Sequence, residues 1–182
     1  MRLRPIDLAD PVERAALVDF MSSEPFPLHA GGTPTRDEVT ARIERCEYST
    51  HDQATYWVED HASGRIGIAR LQDLSDDTPM FDLRLGQRHR GRRLGTAALR
   101  ALTDLVFSTC PQAHRFEGVT RADNLPMRRA FLRVGFVQEA HYRQGWPQQD
   151  DTMHDAVGYA VLRQDWETGT TTPVPRDEGQ VP

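Results

Sequence analysis

The sequence predicts one α/β domain, a mixed sheet with helices on its faces. Alternating and helically spaced hydrophobic segments follow in the order strand, two helices, three strands, helix, strand, helix, two strands. The chain has 182 residues, 38% of them hydrophobic, which is enough for one well-buried core and short for two. Capping residues, prolines and glycines separate the segments. We therefore expect one domain over residues 1–166.

The first strand and helix are predicted near the N-terminus. Residues 2–6 alternate polar and apolar side chains, as in a strand. Asp10 and Pro11 then begin a helix as N-cap and first helical residue, and Glu13 completes a capping-box pattern. The helix should end near Ser22. Its predicted apolar face consists of Val12, Ala16, Leu17 and Phe20.

A long loop precedes the second helix. Residues 23–34 contain three prolines and two glycines, which indicates irregular structure. Thr35 and Glu38 form a second capping-box pattern. A short helix follows, because Val39, Ile43 and Cys46 recur at helical spacing.

Three strands are predicted next. Residues 54–59 and 65–71 are rich in β-branched and aromatic side chains and flank the turn sequence of residues 61–64, which indicates a hairpin. A third strand covers residues 80–85 and runs into a basic loop.

The C-terminal half alternates helices and strands. A helix begins at Leu94 and ends before Pro111, a strand covers residues 116–120, and a helix runs from Pro126 to its C-cap at Gly135. The first helix is expected to bury Leu94, Ala98, Ala101, Leu102 and Leu105 and to expose Arg100, Thr103 and Asp104. The second is expected to bury Met127, Ala130, Phe131 and Val134.

Two strands and a tail complete the chain. The last strands are predicted over residues 137–143 and 157–162. Residues 167–182 are polar, contain prolines and lack periodicity, which predicts a tail that is mobile or used in assembly. The tail and the last strands could support a homodimer.

Composition excludes several classes of protein. The formal net charge of −5 argues against a specific nucleic-acid-binding protein. No signal peptide and no apolar run of the roughly 18 to 20 residues needed to span a bilayer is evident, so we expect a soluble cytoplasmic protein without membrane partners. The two cysteines are isolated and the seven histidines lack metal-ligand spacing, so neither a disulfide framework nor a metal site is predicted.

The basic turn that follows the predicted strand at residues 80–85 has the character of an anion site. Four arginines lie within six residues, Arg88, Arg90, Arg92 and Arg93, and a helix begins immediately after them. The unpaired N–H groups of a helix N-terminus accept an anion together with the helix dipole. The same stretch lacks the lysine and hydroxyl residue of a nucleotide P-loop, which makes that alternative poor.

These residues resemble the GNAT superfamily of acyl-CoA-dependent N-acetyltransferases. The segment Arg88-His89-Arg90-Gly91-Arg92-Arg93 is similar to its phosphate-loop pattern, although the last position, usually Gly or Ala, is Arg93. Arg93 must therefore point outward or bind a coenzyme phosphate. The resemblance continues through Asn124, Met127, Phe131 and Gly135-Phe136, and Glu139, Arg143, His154-Asp155 and Tyr159 look like the RimJ and RimL branch, which acetylates the N-termini of ribosomal proteins.

The resemblance implies a mostly antiparallel central sheet with helices on both faces and acetyl-CoA as cosubstrate. A backbone N–H near Leu83 to Leu85 would polarise the thioester carbonyl. The other coenzyme-binding residues that we expect are Arg88, Arg90, Gly91, Arg92, Arg93, Leu94, Gly95, Thr96, Asn124 and Arg129. In the loop before the second helix, Phe26 and His29 would shape the acceptor pocket, although this loop could equally be a rigid connector.

The departures from the family pattern fall on catalytic positions. Phe131 stands where many members have a tyrosine acid, and Met127 where the RimJ-like branch often has serine. Tyr142, Tyr159 or water could protonate the thiolate, or it could leave unassisted, since its pKa is near 8.5. Base candidates are Asp82, Glu117 and Glu139, each of which could instead be a solvated or arginine-paired carboxylate.

Two hypotheses of function follow. The first is an enzyme that transfers an acetyl group from acetyl-CoA to a primary amine, a protein N-terminal α-amine or a small molecule, by direct attack in a ternary complex. The second is a non-catalytic acyl-CoA-binding module, because both usual acids are missing.

Overall fold

The computed structural model describes residues 1–148 and 150–175. The predicted order of elements is confirmed, with one helix added after the last strand. The elements are β1 (Arg2–Pro5), α1 (Pro11–Ser23), α2 (Arg36–Glu44), β2 (Ala54–Asp60), β3 (Gly64–Gln72), β4 (Met80–Leu85), a 3₁₀ turn (Gln87–His89), α3 (Leu94–Thr109), β5 (Arg115–Arg121), α4 (Leu125–Val134), β6 (Val137–Pro147), β7 (Met153–Leu162) and α5 (Arg163–Thr168).

The strands form one seven-stranded sheet in the order β1-β2-β3-β4-β5-β7-β6. All neighbours are antiparallel except β4 and β5, which are parallel. The mixed, mostly antiparallel sheet expected from the sequence is therefore confirmed.

Helices cover both faces of the sheet over two hydrophobic clusters. α1 and α2 pack with Trp57 and Ile68, which are register partners on β2 and β3. α3 and α4 pack on the opposite face with Ala69 and Phe116. The alternation of side chains along β3 therefore assigns Ile68 and Ala69 to different clusters.

The predicted face of α1 is partly wrong. Val12 is 73% exposed, and the buried residues of this helix are Leu17, Val18 and Met21. The first capping box is also not formed, because the Glu13 carboxylate accepts hydrogen bonds from Arg4 and from the Trp57 indole N–H instead. Asp10 does cap the helix, by accepting from the Val12 N–H at 2.9 Å.

Two other helices show how tertiary contacts modify a local pattern. The capping box at Thr35 and Glu38 is confirmed, but Cys46 lies beyond the end of α2 and is exposed. On α3, Thr103 is buried rather than exposed. Its hydroxyl donates to the Leu99 carbonyl at 2.9 Å, so burial leaves no unsatisfied donor.

The chain after β7 is attached to the domain. The Arg163 guanidinium donates to the carbonyl oxygens of Phe107, Cys110 and Ala113, where α3 ends and the following turn begins. Asp165 is buried and accepts hydrogen bonds from the N–H and hydroxyl of Thr172. The prediction of a mobile or assembly tail at residues 167–182 falls partly on residues 176–182, which lie outside the described residues.

No helix in the described part of the chain is long and apolar enough to cross a membrane.

Candidate active site

Strands β4 and β5 separate shortly after they meet. Their parallel ladder has a single register pair, Met80 with Glu117, and the Glu117 N–H donates to the Pro79 carbonyl at 3.0 Å. Farther along β4, side chains occupy the position of a partner strand. The Leu83 carbonyl lies 3.2 Å from His29 Nε2, and the Leu85 carbonyl accepts from Arg90 Nε at 2.9 Å. Because the N–H and C=O of a strand residue point to the same side, the Leu83 N–H also faces this gap.

A cavity of about 440 Å³ passes through the gap. Leu83 and Leu85 pack on the α3 and α4 side of the sheet, whereas Phe26 belongs to the cluster under α1 and α2. All three line the cavity, which therefore connects the two faces of the sheet. Its wall consists of Phe26, Pro27, Leu28, His29, Leu83, Leu85, Arg90, Gly91, Arg93, Gly95, Thr96, Asn124, Pro126, Met127, Arg129, Ala130 and Arg133.

The N-terminus of α3 forms one end of the cavity. Gly91 has φ 72° and Arg93 has φ 62°, so the backbone turns sharply before the helix begins at Leu94. No side chain among the described residues caps this helix. Because the first N–H groups of a helix have no intrahelical partner, Gly95 and Thr96 contribute an anion-binding surface to the wall.

The loop arginines have different positions. Arg93 lines the cavity and also an adjoining hollow that contains Arg100 and Arg133. Arg93 is also exposed to solvent, so both orientations predicted for it stay predictions. Arg88 and Arg92 are absent from the described wall of the cavity. Arg88 instead donates to the ring of its neighbour His89 at 2.8 Å.

Arg90 joins the phosphate loop to the loop after α1. Besides its bond to Leu85, it donates to the Pro25 carbonyl at 2.6 Å. Glu24 makes a second connection, because its carboxylate accepts from the Gln87 N–H at 2.7 Å. The expected acceptor loop and the expected coenzyme loop are thus held together.

Asn124 lines the cavity, but hydrogen bonds within the protein occupy its amide. Its Oδ1 accepts from the Met127 N–H at 3.3 Å as the N-cap of α4, and its Nδ2 donates to the Thr120 hydroxyl at 2.9 Å. The side chain therefore fixes the start of α4 beside the cavity. Gly135 ends the same helix with φ 101°, as predicted for a C-cap.

Asp82 lies just behind the cavity wall, next to His29. Its Oδ2 accepts from Arg84 Nε at 2.9 Å, and its Oδ1 is 3.5 Å from His29 Nε2. Burial is the strongest effect and raises the pKa of Asp82, but the charges of Arg84, His29 and Arg70 and the hydrogen bond from Arg84 together outweigh it and hold the pKa below its usual value. Burial lowers the pKa of His29. At neutral pH the pair is therefore a carboxylate and a neutral imidazole.

The other candidates for acid and base lie elsewhere. Glu117 and Glu139 both form ion pairs with Arg115. Tyr142 is 49% exposed on the edge strand β6. None of these residues lines the cavity. Their catalytic roles stay predictions.

Phe131 and Met127, which stand where the family often has an acid, have defined surroundings. Phe131 is buried and stacks on Tyr159, with ring centroids 4.6 Å apart. The Tyr159 hydroxyl donates to Gln138 at 3.1 Å and accepts from Arg128 at 3.1 Å, so it is engaged away from the cavity. Met127 does line the cavity.

Several wall residues were not predicted. Pro27 and Leu28 belong to the predicted acceptor loop, and Arg133 lies one helical turn after the predicted Arg129. The i, i+4 spacing was a usable signal for Arg133. The contact of Arg84 with Asp82 was not predicted either, although residues two apart in a strand point to the same face and Asp82 was considered as an arginine-paired carboxylate.

Comparisons with known proteins identify the family and the fold. The family model described as acetyltransferase (GNAT) domain matches residues 1–137. The spermidine N-acetyltransferase of Vibrio cholerae, solved in complex with CoA and spermine, superposes with a TM-score of 0.72 at 15% identity, covering 91% of this chain and 97% of that chain. A structure titled probable acetyltransferase superposes with a TM-score of 0.69 at 18% identity, covering 91% of this chain and 99% of that chain. The search of curated proteins gives no match.

Proposed function

The chain belongs to the acetyltransferase (GNAT) domain family, and we propose how it carries out acetyl transfer. The protein is an acetyl-CoA-dependent N-acetyltransferase that acts on a primary amine. In our proposal the amine attacks the thioester directly in a ternary complex. The observation that supports this is the cavity through the β4–β5 gap, which has an uncapped helix N-terminus at one end and His29 at the other.

The coenzyme is proposed to bind on the α3 and α4 side. The N–H groups at the start of α3 suit its pyrophosphate, and Arg93, Arg129 and Arg133 add positive charge along the same wall. Acetyl-CoA supplies the activated acetyl thioester. The apolar side chains of Leu83, Leu85 and Met127 suit the uncharged arm of the coenzyme.

The Leu83 N–H is proposed to polarise the thioester carbonyl. It faces the gap, and the ladder with β5 ends at the Met80 and Glu117 pair, before this residue is reached. A fixed backbone donor is effective there because little water competes for the carbonyl oxygen. The hydrogen bond between His29 and the Leu83 carbonyl holds this part of the strand in place.

Asp82 and His29 are proposed to assist loss of the amine proton. The nitrogen of the amine bonds to the carbonyl carbon, the C–S bond breaks, and the proton passes to His29 or through water to Asp82. An α-amine with pKa near 8 is neutral in about one molecule in ten at pH 7, whereas an amine with pKa near 10.4 is neutral in fewer than about one in a thousand. A protein N-terminus therefore needs less help from a base than a polyamine does.

The coenzyme thiolate is proposed to leave without a protein acid. Phe131 and Met127 carry no exchangeable proton, and Tyr159 is engaged by Gln138 and Arg128. A thiol with pKa near 8.5 is an adequate leaving group.

For the acceptor we favour an α-amine, as in the RimJ and RimL branch that the C-terminal motifs resemble. The structural neighbours named as spermidine acetyltransferases suggest a polyamine as the competing acceptor. A panel of N-terminal peptides, small amines and polyamines, read by release of free CoA thiol, tests the proposal. Isothermal titration with acetyl-CoA measures binding separately. Failure of every amine to release thiol, with coenzyme binding intact, would reject acetyl transfer.

A further inference from the structure

The acceptor end of the cavity is the end at His29, and the charged side chains in the described wall of the cavity are arginines. Its lip is formed by the exposed Pro27 and the half-buried Leu28, with the buried Phe26 behind them. Of the described residues, none that lines the cavity carries a carboxylate. A cationic group of an acceptor could therefore be attracted only by carboxylates that lie just behind the wall.

Two carboxylates are close to that end, and each already has a partner. Glu24 accepts the Gln87 N–H at 2.7 Å. Asp82 accepts Arg84 Nε at 2.9 Å and lies 3.5 Å from His29. The Asp82 carboxylate is therefore already paired with a cation, whereas Glu24 accepts a neutral N–H and keeps its negative charge.

Arg84 is held firmly in this position. It is 8% exposed, and its guanidinium carbon lies 5.0 Å from the centroid of the Phe26 ring, which forms the cavity wall. A buried arginine next to an aromatic ring is favourable because the ring face attracts the cation. The pairing with Asp82 is therefore built into the core rather than made by a mobile surface side chain.

We propose that Arg84 restricts the acceptor to amines without a second positive charge, because it neutralises the Asp82 carboxylate behind the cavity wall. This inference rests on the proposed acetyl transfer and names the class of acceptor for the same site. A second ammonium group would lie near Arg84 and Arg90, and the Asp82 carboxylate that could attract it is already paired with Arg84. Acceptors with an apolar or neutral group beside the reacting amine fit the lip of Pro27 and Leu28.

The test uses norleucine amide and lysine amide, which differ only by the terminal ammonium of the side chain. Both present an α-amine, and spermidine serves as the polycation. Thiol release by the wild-type protein is expected to give a kcat/KM at least tenfold higher for norleucine amide than for lysine amide, and lower still for spermidine. Equal or faster reaction of lysine amide would overturn the inference while leaving acetyl transfer intact.

Two variants examine the role of Arg84. Arg84→Gln frees Asp82 and is expected to shift the ratio of kcat/KM at least fivefold toward lysine amide, whereas Arg84→Lys keeps a cation and should preserve the ratio. Adding Asp82→Asn to Arg84→Gln should abolish the shift, even if it lowers turnover of every acceptor.

An unchanged ratio in folded Arg84→Gln would reject the role of Arg84. Should that variant fail to bind acetyl-CoA or to melt cooperatively, the wild-type ratio still decides the acceptor class. Inactivity of the wild type with all three acceptors, despite coenzyme binding, would instead count against the proposed function.

Discussion

Gly118 on β5 lies directly against the ring of Phe131 on α4. A Cβ atom at position 118 would be 2.7 Å from Phe131 Cζ and 2.6 Å from Phe81 Cε1. Real Cβ atoms do not approach other atoms so closely. The absence of a side chain at Gly118 therefore allows α4, and with it the Asn124 end of the cavity, to pack onto the sheet.

Gly118→Ala should destabilise the protein. We expect a loss of about 2 kcal/mol in the free energy of unfolding, because overpacked cores commonly lose about 1–3 kcal/mol. Urea titration measures this loss. Gly95→Ala is the matched control, since its Cβ would meet only Leu85 Cδ1 at 3.6 Å, and its stability should be unchanged or slightly higher.

Phe131→Tyr should not restore an acid to the site. Phe131 is buried and does not line the cavity, and its Cζ packs closely against Gly118 on β5, so an added hydroxyl would be crowded in the core. We expect lower stability and no increase in kcat. Met127→Ser is the comparison, because Met127 lines the cavity and this variant presents a hydroxyl there. A higher kcat for Phe131→Tyr would contradict the placement of its ring.

Arg93→Gly should weaken coenzyme binding and at the same time raise the stability of the protein. Arg93 has φ 62°, a left-handed conformation that costs a residue with a side chain about 1–2 kcal/mol. Glycine is therefore expected to raise the free energy of unfolding by about 1 kcal/mol. Loss of the guanidinium should weaken acetyl-CoA binding about tenfold, equivalent to about 1.4 kcal/mol.

Isothermal titration and urea unfolding measure these two effects of Arg93→Gly. Arg92→Ala serves as the control, because Arg92 does not line the cavity and should change the dissociation constant little. Equal losses of affinity in the two variants would show that the loop acts only by its general charge.

His29 should make stability depend on pH. Burial holds the pKa of His29 below its usual value, so the folded state binds fewer protons than the unfolded chain in this range. The stability that the neutral ring contributes is present above a pH of about 6.5 and is lost as the pH falls toward the lower folded pKa. One such group changes the slope by at most about 1.4 kcal/mol per pH unit.

Urea unfolding at pH 7 and pH 5.5 measures this effect. His29→Gln should lose less stability between the two values than the wild-type protein does. His61→Gln is the matched control on an exposed turn and should behave as wild type. Identical pH dependence in His29→Gln and wild type would contradict the effect of burial on His29.

Features that depend on residues close in the chain could be predicted from the sequence. The order of the elements, the Thr35 capping box, the Gly135 C-cap and the basic loop before α3 all follow from spacings of a few residues. Arg90, Gly91 and Arg93 of the same loop line the cavity. The face of α1 was harder, because Glu13 has partners on β1 and β2 that its own helix does not reveal.

The sequence by itself thus determined the type and order of the elements and the anion-binding character of one loop. The tertiary structure alone decided the acceptor end, where His29 meets Leu83 and Arg90 meets Pro25 across 54 and 65 positions. It also decided that Asp82 lies 3.5 Å from His29, and that Glu139 on β6 pairs with Arg115 on β5, away from the cavity. The physical reason is that helix caps and periodicity come from short-range geometry, whereas the partner of a charge depends on which strands the sheet places side by side.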